Sequence, residues 1–226
     1  MKYDTILFDL DDTLFDFSMT ERMALEKTLH AHGISLPLDE LLPAYKKISS
    51  GLWRDLEQGR TTLAELGVER FKRLFLAHEL DLDAAVFGRD YLGNLGKEVH
   101  LIHGAVELCS SLSDCRLAIV TNGFRDVQHA RVAGSSLAAA FEVLVTSEEA
   151  GAQKPDPRIF DYLFARMGLT DKGKVLIVGD SLTSDIQGGA NYGIDTCWFN
   201  PMRKENTLGI KPTCEIHSLL DLLGYL

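Results

Sequence analysis

Short apolar runs alternate with amphipathic stretches along most of the chain. The runs are nearly continuous and rich in Ile, Val, Leu or Phe, as expected for strands covered on both faces of a sheet. They lie at Thr5–Leu10, Arg116–Thr121, Phe141–Thr146, Lys174–Gly179 and Asp195–Asn200. The stretches between the later runs follow a helical period, at Asp126–Ala133, Asp156–Met167 and Ser184–Tyr192. Strand, helix and strand at this spacing predict βαβ units, and therefore an α/β fold with a parallel sheet.

Residues 17–97 interrupt this alternation. The segment holds stretches of helical period and composition and no convincing strand, with helices predicted at Glu21–His32, Leu38–Ser50, Thr62–Glu79 and Asp83–Leu95. A helical insert between the first two strands predicts a second domain, so we expect a core of residues 1–16 and 98–226 and a helical cap of residues 17–97. Ligands of open parallel sheets bind outside the carboxyl ends of the strands, and we expect the cap to cover that edge.

Acidic side chains are crowded at the end of the first predicted strand. In the stretch FDLDDTL, Asp9, Asp11 and Asp12 directly follow an apolar run. Alternate side chains of an extended segment share a face, so Asp9 and Asp11 can point the same way. Anions in such proximity are unfavourable unless a positive charge lies among them. The pattern therefore indicates a cation at this point of the chain.

Polar groups also follow the other predicted strands. Thr121 and Asn122 end the second strand, Lys154 follows the third, and the stretch GDSLTSD after the fourth contains Asp180 and Asp185. Taken singly, each has an ordinary explanation as a helix cap, a loop carboxylate or a solvated lysine. Because the carboxyl ends of parallel strands meet at one edge of a sheet, the ordered set indicates one site.

The chemistry that fits this set is phosphoryl transfer to a carboxylate nucleophile. A carboxylate that attacks an anionic ester is repelled, by about 4 kcal/mol for unit charges about 4 Å apart at an effective dielectric constant of about 20. A hard divalent cation with oxygen ligands relieves this repulsion, and we expect Mg²⁺. Its expected ligands are the Asp9 carboxylate, a main-chain carbonyl near Asp11, and Asp180, with Asp185 in or near the coordination shell.

The remaining groups suit the phosphate and the proton transfers. Lys154 supplies positive charge, and Thr121 with the amides that lead into the following helix supplies hydrogen-bond donors. Asp11 is then available to protonate the departing oxygen and later to deprotonate water. General acid–base catalysis of this kind contributes roughly 10²–10⁴ in rate.

The sequence resembles phosphatases of the haloacid dehalogenase superfamily over essentially its whole length. The resemblance is carried by FDLDDT, IVTNG, the lysine of QKPDP, and GDSLTSD, in that order. It implies a Rossmann-like core with an inserted helical cap, an aspartyl-phosphate intermediate and Mg²⁺. The roles implied are nucleophile for Asp9, acid and base for Asp11, phosphate binding for Thr121, Asn122 and Lys154, and metal binding for Asp9, Asp11, Asp180 and Asp185. Asp12 stands where many relatives have glycine and is interpreted as a turn residue.

The substrate is indicated less directly. The stretches LWRDLEQGRTT, SEEAGAQKPDPRIF and TCWFNP resemble the pyrimidine 5′-nucleotidase branch, which implies UMP, dUMP or dTMP as substrate. Sugar phosphates, phosphoglycolate and a phosphomutase of the phosphoglucomutase type are the alternatives. Asp11 argues against the dehalogenase branch, which lacks this aspartate and needs no metal. Arg54 and Arg60 are candidate substrate contacts, whereas Trp53 is expected to pack between cap helices rather than stack on a base.

Charge and composition narrow the range of partners. With 23 basic against 33 acidic residues, the formal net charge of −10 argues against nucleic acid polymers and anionic membranes. It allows a small anionic substrate. The first residues turn acidic too soon for a signal peptide, and a run of about 18 apolar residues is absent from the sequence, so we expect a cytoplasmic protein. The four cysteines show no metal-binding spacing.

Overall fold

The computed structural model describes residues 2–226, and within this range the strands form one parallel sheet. The strands are β1 (Thr5–Phe8), β2 (Arg116–Thr121), β3 (Val143–Thr146), β4 (Val175–Gly179), β5 (Asp195–Phe199) and β6 (Cys214–Ile216). They pair in the order β3-β2-β1-β4-β5-β6, and neighbouring strands run parallel. This is the strand order of the Rossmann fold. The predicted α/β class with a Rossmann-like sheet is confirmed.

The helices follow the predicted pattern with shifted ends. They are α1 (Phe17–Ala31), α2 (Leu38–Glu57), α3 (Leu63–Ala77), α4 (Ala84–Leu95), α5 (Ala105–Ser111), α6 (Arg125–Ala133), α7 (Ser147–Ala150), α8 (Arg158–Met167) and α9 (Gln187–Tyr192). A π-helical turn, Leu182–Ile186, directly precedes α9. None of the helices formed by residues 2–226 is long and apolar enough to cross a membrane.

Both faces of the sheet are buried under helices. Ile6 and Phe8 of β1 join one apolar cluster, which also contains Leu108 of α5. Leu7, whose side chain points the opposite way, joins a second cluster with Leu163 of α8. A strand with both faces covered has no solvent-facing positions, which explains why the strands are continuous apolar runs rather than alternating ones.

The chain divides into two compact units. One is formed by the chain up to Phe17 together with Val99–Leu226, and the other by Ser18–Glu98. The second unit is helical, and its interior is built from aromatic side chains in mutual contact: Tyr45, Phe71, Phe75, Phe87 and Tyr91. Side chains cap the starts of two of its helices: Thr62 and Glu65 form a reciprocal capping box at α3, and Asp83 accepts from two main-chain N–H groups at α4.

Candidate active site

Three carboxylates lie close together beside β1 and β4, where the order of the strands in the sheet reverses. Asp9 directly follows β1, while Asp180 and Asp185 follow β4, the strand beside β1. Each of the three offers an oxygen, and these atoms lie within 4.8 Å of one another. Burial raises the pKa of Asp9 to about 7 against the opposing effect of Lys154, and Asp185 adds to the rise. Burial, then Asp185 and Asp9, also raise the pKa of Asp180 well above its ordinary value.

Lys154 supplies a positive charge inside this group. Its Nζ donates to Asp9 Oδ1 at 2.5 Å, to Asp185 Oδ1 at 2.7 Å and to the main-chain oxygen of Val120 at 2.7 Å. An ammonium has three protons, so these bonds use all of them. Burial alone would lower the pKa of Lys154, but Asp185 and Asp9 outweigh it and the pKa is raised. The amine is therefore charged, and one cation stands among three carboxyl groups.

The acidic group fits a divalent metal ion. Its donors are carboxylate oxygens, which hard cations such as Mg²⁺ prefer, and the Lys154 ammonium, which is bonded to two of them, does not balance three carboxylates. Asp185 is buried deepest, and its Oδ2 accepts from the main-chain N–H of Ser181 at 3.0 Å. Among residues 2–226, the group that could hold a metal does not include the Asp11 carboxylate. A ligand role for the main-chain carbonyl of Asp11 stays a prediction.

Two residues outside the predicted set fix the backbone of Asp180. The main-chain N–H of Asp180 donates to Thr13 Oγ1 at 3.1 Å. Trp198 of β5 donates its indole N–H to the main-chain oxygen of Asp180 at 2.9 Å. The Asp180 backbone is thus tied to the loop after β1 and to the strand next to β4. Trp198 lies in the stretch TCWFNP, but the sequence carried no signal for this contact.

Thr121, at the end of β2, is prepared to act as a hydrogen-bond donor. Its Oγ1 accepts from the main-chain N–H of Gly123 at 3.1 Å and from Nε2 of Gln128 at 2.9 Å. A hydroxyl has two lone pairs and one proton. Since both lone pairs are engaged, the function that remains for the Thr121 hydroxyl is to donate its proton to an acceptor such as a phosphate oxygen.

Asn122 holds the lysine segment. Its Oδ1 accepts from the main-chain N–H of Lys154 at 2.8 Å, and its Nδ2 donates to the main-chain oxygen of Lys154 at 2.9 Å. Nδ2 also donates to Ser184 Oγ at 3.3 Å. Because the side-chain amide is engaged in this way, the group of Asn122 that suits a phosphate is its main-chain N–H.

The Asp11 carboxylate is bound by two side chains of α6. Gln128 Nε2 donates to Asp11 Oδ2 at 2.8 Å, and Arg131 forms an ion pair with Asp11 Oδ1. Gln128 and Arg131 are three residues apart and therefore lie on one face of the helix. Sequence reasoning missed both. The signal that could have found them is a polar pair at helical spacing directly after the Thr121 segment.

The candidate substrate contacts of the cap belong to the helical unit. Trp53 is half-buried and Arg54 is exposed. Arg60 forms an ion pair with Asp55, with Nε 3.0 Å from Oδ1. Arg60 is thus already paired within its own unit, while the guanidinium of Arg54 lies at the surface.

A family model described as haloacid dehalogenase-like hydrolase matches residues 3–193, which is most of the chain. The chain belongs to this family. The resemblance carried by the sequence motifs is confirmed, and the protein is an enzyme. For this haloacid dehalogenase-like hydrolase, the acidic group of Asp9, Asp180 and Asp185 and the lysine Lys154 lie within the matched region.

Relatives of this haloacid dehalogenase-like hydrolase match it from end to end. HAD-hydrolase YfnB of Bacillus subtilis is 40% identical over 98% of this chain and 94% of its own. Its crystal structure, described as bound to magnesium and as revealing interdomain movement, superposes with a TM-score of 0.94 at 39% identity, over 100% of this chain and 99% of that one. The pyrimidine 5′-nucleotidases PynA of Streptococcus pneumoniae and YjjG of Escherichia coli are 37% and 33% identical, over 100% and 98% of this chain and 96% and 97% of theirs.

Proposed function

We propose that this hydrolase is a Mg²⁺-dependent phosphomonoesterase that forms an aspartyl-phosphate on Asp9. The observation that carries the proposal is the Asp9 carboxylate, which is bonded to the Lys154 ammonium and lies within the acidic group at the β1–β4 junction. A carboxylate so placed can accept a phosphoryl group, because the cation beside it reduces the repulsion between two anions.

The reaction divides into two displacements. In the first, Asp9 Oδ2 attacks phosphorus, since Oδ1 is held by Lys154, and the ester P–O bond breaks. Asp11 gives its proton to the departing oxygen, which leaves as an alcohol. In the second, Asp11 takes a proton from water, and the resulting hydroxide attacks phosphorus. The bond between phosphorus and Asp9 breaks and inorganic phosphate leaves, while the proton taken from water restores Asp11 to its starting, protonated form.

The phosphate is held by groups that surround Asp9. Thr121 donates its hydroxyl proton to a phosphate oxygen, and the main-chain N–H of Asn122 adds a second donor. Lys154 contributes charge. Mg²⁺ would be held by Asp9, Asp180 and the main-chain carbonyl of Asp11, with Asp185 behind them. When bound, it supplies the positive charge that offsets these carboxylates and the phosphate together.

Pyrimidine nucleoside monophosphates are the substrates we propose. Two relatives that match nearly all of this chain, PynA and YjjG, are named pyrimidine 5′-nucleotidases, which supports this class. We also propose that residues 17–97 form a cap that selects the leaving group, because this helical segment is inserted between β1, which Asp9 directly follows, and β2. Under this proposal Arg54, which is exposed, is a candidate contact to the nucleotide.

The test is phosphate release from a panel of esters, each with Mg²⁺ and with EDTA. We expect release from UMP, dUMP and dTMP that EDTA abolishes. Release from sugar phosphates or phosphoglycolate alone would keep the chemistry and overturn the substrate class. A rearranged ester without free phosphate would favour the phosphomutase alternative, and inertness toward all esters would overturn the proposal.

The metal site has a test that does not depend on turnover. A ligand at 100 times its dissociation constant stabilises a protein by about 2.7 kcal/mol, which for this size raises the melting temperature by about 5–10 °C. We expect such a rise with Mg²⁺ for the natural protein and a much smaller one for Asp180→Asn. Asp126→Asn, on the first turn of α6, is the matched control and should respond like the natural protein. Equal shifts in all three proteins would contradict the assigned ligands.

A further inference from the structure

We propose that Gln128 and Arg131 are positioning residues that fix the Asp11 carboxylate for proton transfer and tie it to the Thr121 hydroxyl. Neither residue is assigned a role by the motifs, and neither is expected to touch substrate. The inference rests on the proposed function, because it concerns the acid and base of that reaction. It is carried by a closed set of hydrogen bonds among four side chains of the core unit.

The side-chain amide of Gln128 uses both of its N–H protons and its oxygen in hydrogen bonds. One Nε2 proton goes to Asp11 Oδ2 at 2.8 Å and the other to Thr121 Oγ1 at 2.9 Å. Its Oε1 accepts from Arg131 Nη1 at 3.0 Å. A flipped amide would turn its oxygen toward the Asp11 carboxylate, so these partners allow one orientation. The amide thus fixes the separation between the Asp11 carboxylate and the Thr121 hydroxyl.

Arg131 completes the set. Its guanidinium is 0% exposed and donates through Nη1 both to Asp11 Oδ1 and to Gln128 Oε1. The guanidinium carbon lies 5.0 Å from the centroid of the Phe15 ring, so packing restricts it further. A buried guanidinium is costly unless it is paired with an anion, and Asp11 is that anion in its ionised form, the form that takes a proton from water in the second displacement. Asp11 is held at both oxygens from one face of α6.

This arrangement matters for rate because Asp11 must meet the departing oxygen and later the water. A misplacement of about 1 Å in a reacting group can cost about 10²-fold. Asp11 lies on the chain just after β1, and its side chain is about a quarter exposed, so packing alone does not hold it. The hydrogen bonds from Gln128 and Arg131 hold the Asp11 side chain. Through Gln128 they also fix its position relative to Thr121, the residue proposed to bind phosphate.

A purely structural role for the pair predicts a different result. If Gln128 and Arg131 served stability alone, their loss would lower turnover of all esters alike through the fraction of folded protein. If they position the proton donor, the loss follows the need of the leaving group for that proton. An alkyl ester such as UMP needs it, whereas p-nitrophenyl phosphate departs as a stable phenolate and needs it little.

The experiment compares kcat for UMP and p-nitrophenyl phosphate in Arg131→Met, Gln128→Met and Arg131→Lys, with ribose 5-phosphate in place of UMP if the natural protein prefers sugar esters. We expect the Met variants to lose about 10–100-fold on the alkyl ester and a few-fold on p-nitrophenyl phosphate. Arg131→Lys, which keeps a donor and the charge, should recover part of the loss. Arg116→Met removes the ion pair with Glu142 at the opposite end of β2 and is the matched control, for which both esters should respond alike.

Double variants give an independent readout. If the pair acts through Asp11, adding Arg131→Met to Asp11→Asn should cost little more than Asp11→Asn alone. Multiplying losses would overturn the inference, as would equal loss on both esters. Should Arg131→Met fail to fold, Gln128→Met and Arg131→Lys carry the same comparison. If Asp11→Asn loses turnover mainly on the alkyl ester and these variants do not, this inference alone is refuted. A natural protein that is inactive on every ester removes the proposed function as well.

Discussion

Asp9 has two functions, one structural and one chemical, and a substitution can remove the second while keeping the first. Its oxygen must accept from Lys154 for the site to hold together, and its negative charge must be available for attack. Asparagine keeps the shape and the acceptor but is not a nucleophile of this kind. We therefore expect Asp9→Asn to lose turnover almost wholly, while thermal unfolding stays close to that of the natural protein. Phosphate release and a melting curve test this, and substantial residual turnover would sink the assignment.

Asp12 lies in a turn whose backbone conformation favours glycine. Its φ is +58°, in the left-handed region, and its Oδ1 accepts from the main-chain N–H of Phe17 at 3.0 Å. Left-handed backbone costs about 1–2 kcal/mol for most residues, and a capping bond at a helix start is worth about 1 kcal/mol. In Asp12→Gly these effects oppose each other, so we expect a change in unfolding free energy within about 1 kcal/mol.

The contrast is Asp12→Val, which loses the bond and keeps the unfavourable φ with a β-branched side chain. It should be clearly less stable than Asp12→Gly in urea unfolding. Equal stability of the Gly and Val variants would show that φ at this position does not govern the turn.

The residues that ended strands were predictable, and those that support them were not. Asp9, Thr121 and Asp180 stand out because a polar group after an apolar run is conspicuous in any sequence, whereas Lys154, which follows α7, was identified by its place in the ordered set. Gln128 lies within a helix pattern, where a polar residue is expected to face solvent. Whether such a residue is buried depends on what packs against that face, and the helical period does not contain this information.

Helix packing in the second unit depends on a close approach between α3 and α4. A Cβ at Gly88 would lie 2.7 Å from the main-chain oxygen of Gly67, which a side chain cannot displace easily. We expect Gly88→Ala to destabilise the protein by about 1–3 kcal/mol, since overpacking forces the helices apart. Gly93, on the same helix, has open space around its Cβ position.

Gly93→Ala is therefore the matched control and should stabilise by about 0.5–1 kcal/mol, because alanine restricts the unfolded chain and favours helix. Chemical denaturation of both variants measures the difference. Opposite signs for the two substitutions are the expected result. A neutral Gly88→Ala would mean that α3 and α4 separate at little cost.

Element boundaries show where pattern reading failed. β2 was predicted at its observed bounds, whereas β6 was missed, because three residues after a proline and a threonine form no apolar run. The second helix was expected to stop at Ser50, yet α2 continues to Glu57. Glycine at position 51 lowers helix propensity by about 1 kcal/mol, and the buried Leu52 and Leu56 outweigh this.

The order of strands lay beyond the apolar pattern altogether. The pattern predicts that strands separated by helices are parallel, since such connections cross over the sheet. It does not say on which side of β1 the next strand pairs. In the structure β2 and β3 lie on one side of β1, and β4, β5 and β6 on the other. The Rossmann-like order was anticipated through the family motifs rather than from periodicity.

The lead-in to β1 is tied to the far side of the sheet through Asp195 of β5. Asp195 Oδ2 accepts from the Tyr3 hydroxyl at 2.6 Å and from Lys2 Nζ at 2.9 Å. These bonds lower the pKa of Asp195 below its ordinary value of 3.8. A lowered folded-state pKa gives stability that is present above the unfolded pKa and is lost as pH falls through the folded one.

Asp195→Asn should therefore be less stable than the natural protein at pH 7, with the difference shrinking as the pH falls below 3.8. Urea unfolding at pH 7 and near pH 3 measures both differences. Because the pair is largely exposed, added salt should also reduce the difference at pH 7. A difference that grows toward low pH would have the wrong sign and would contradict the role of this carboxylate.

The three bonds of the Lys154 amine have a mechanical side as well as an electrical one. The amine reaches Asp9 just after β1, Val120 near the end of β2, and Asp185 in the segment after β4. Its three hydrogen bonds thus connect β2, β1 and β4, which are adjacent in the sheet. A substitution of Lys154 would remove the bonds that join these strand ends and, at the same time, the positive charge among the carboxylates. The rigidity of the strand ends and the reactivity of Asp9 therefore depend on the same side chain, and a substitution at Lys154 changes both.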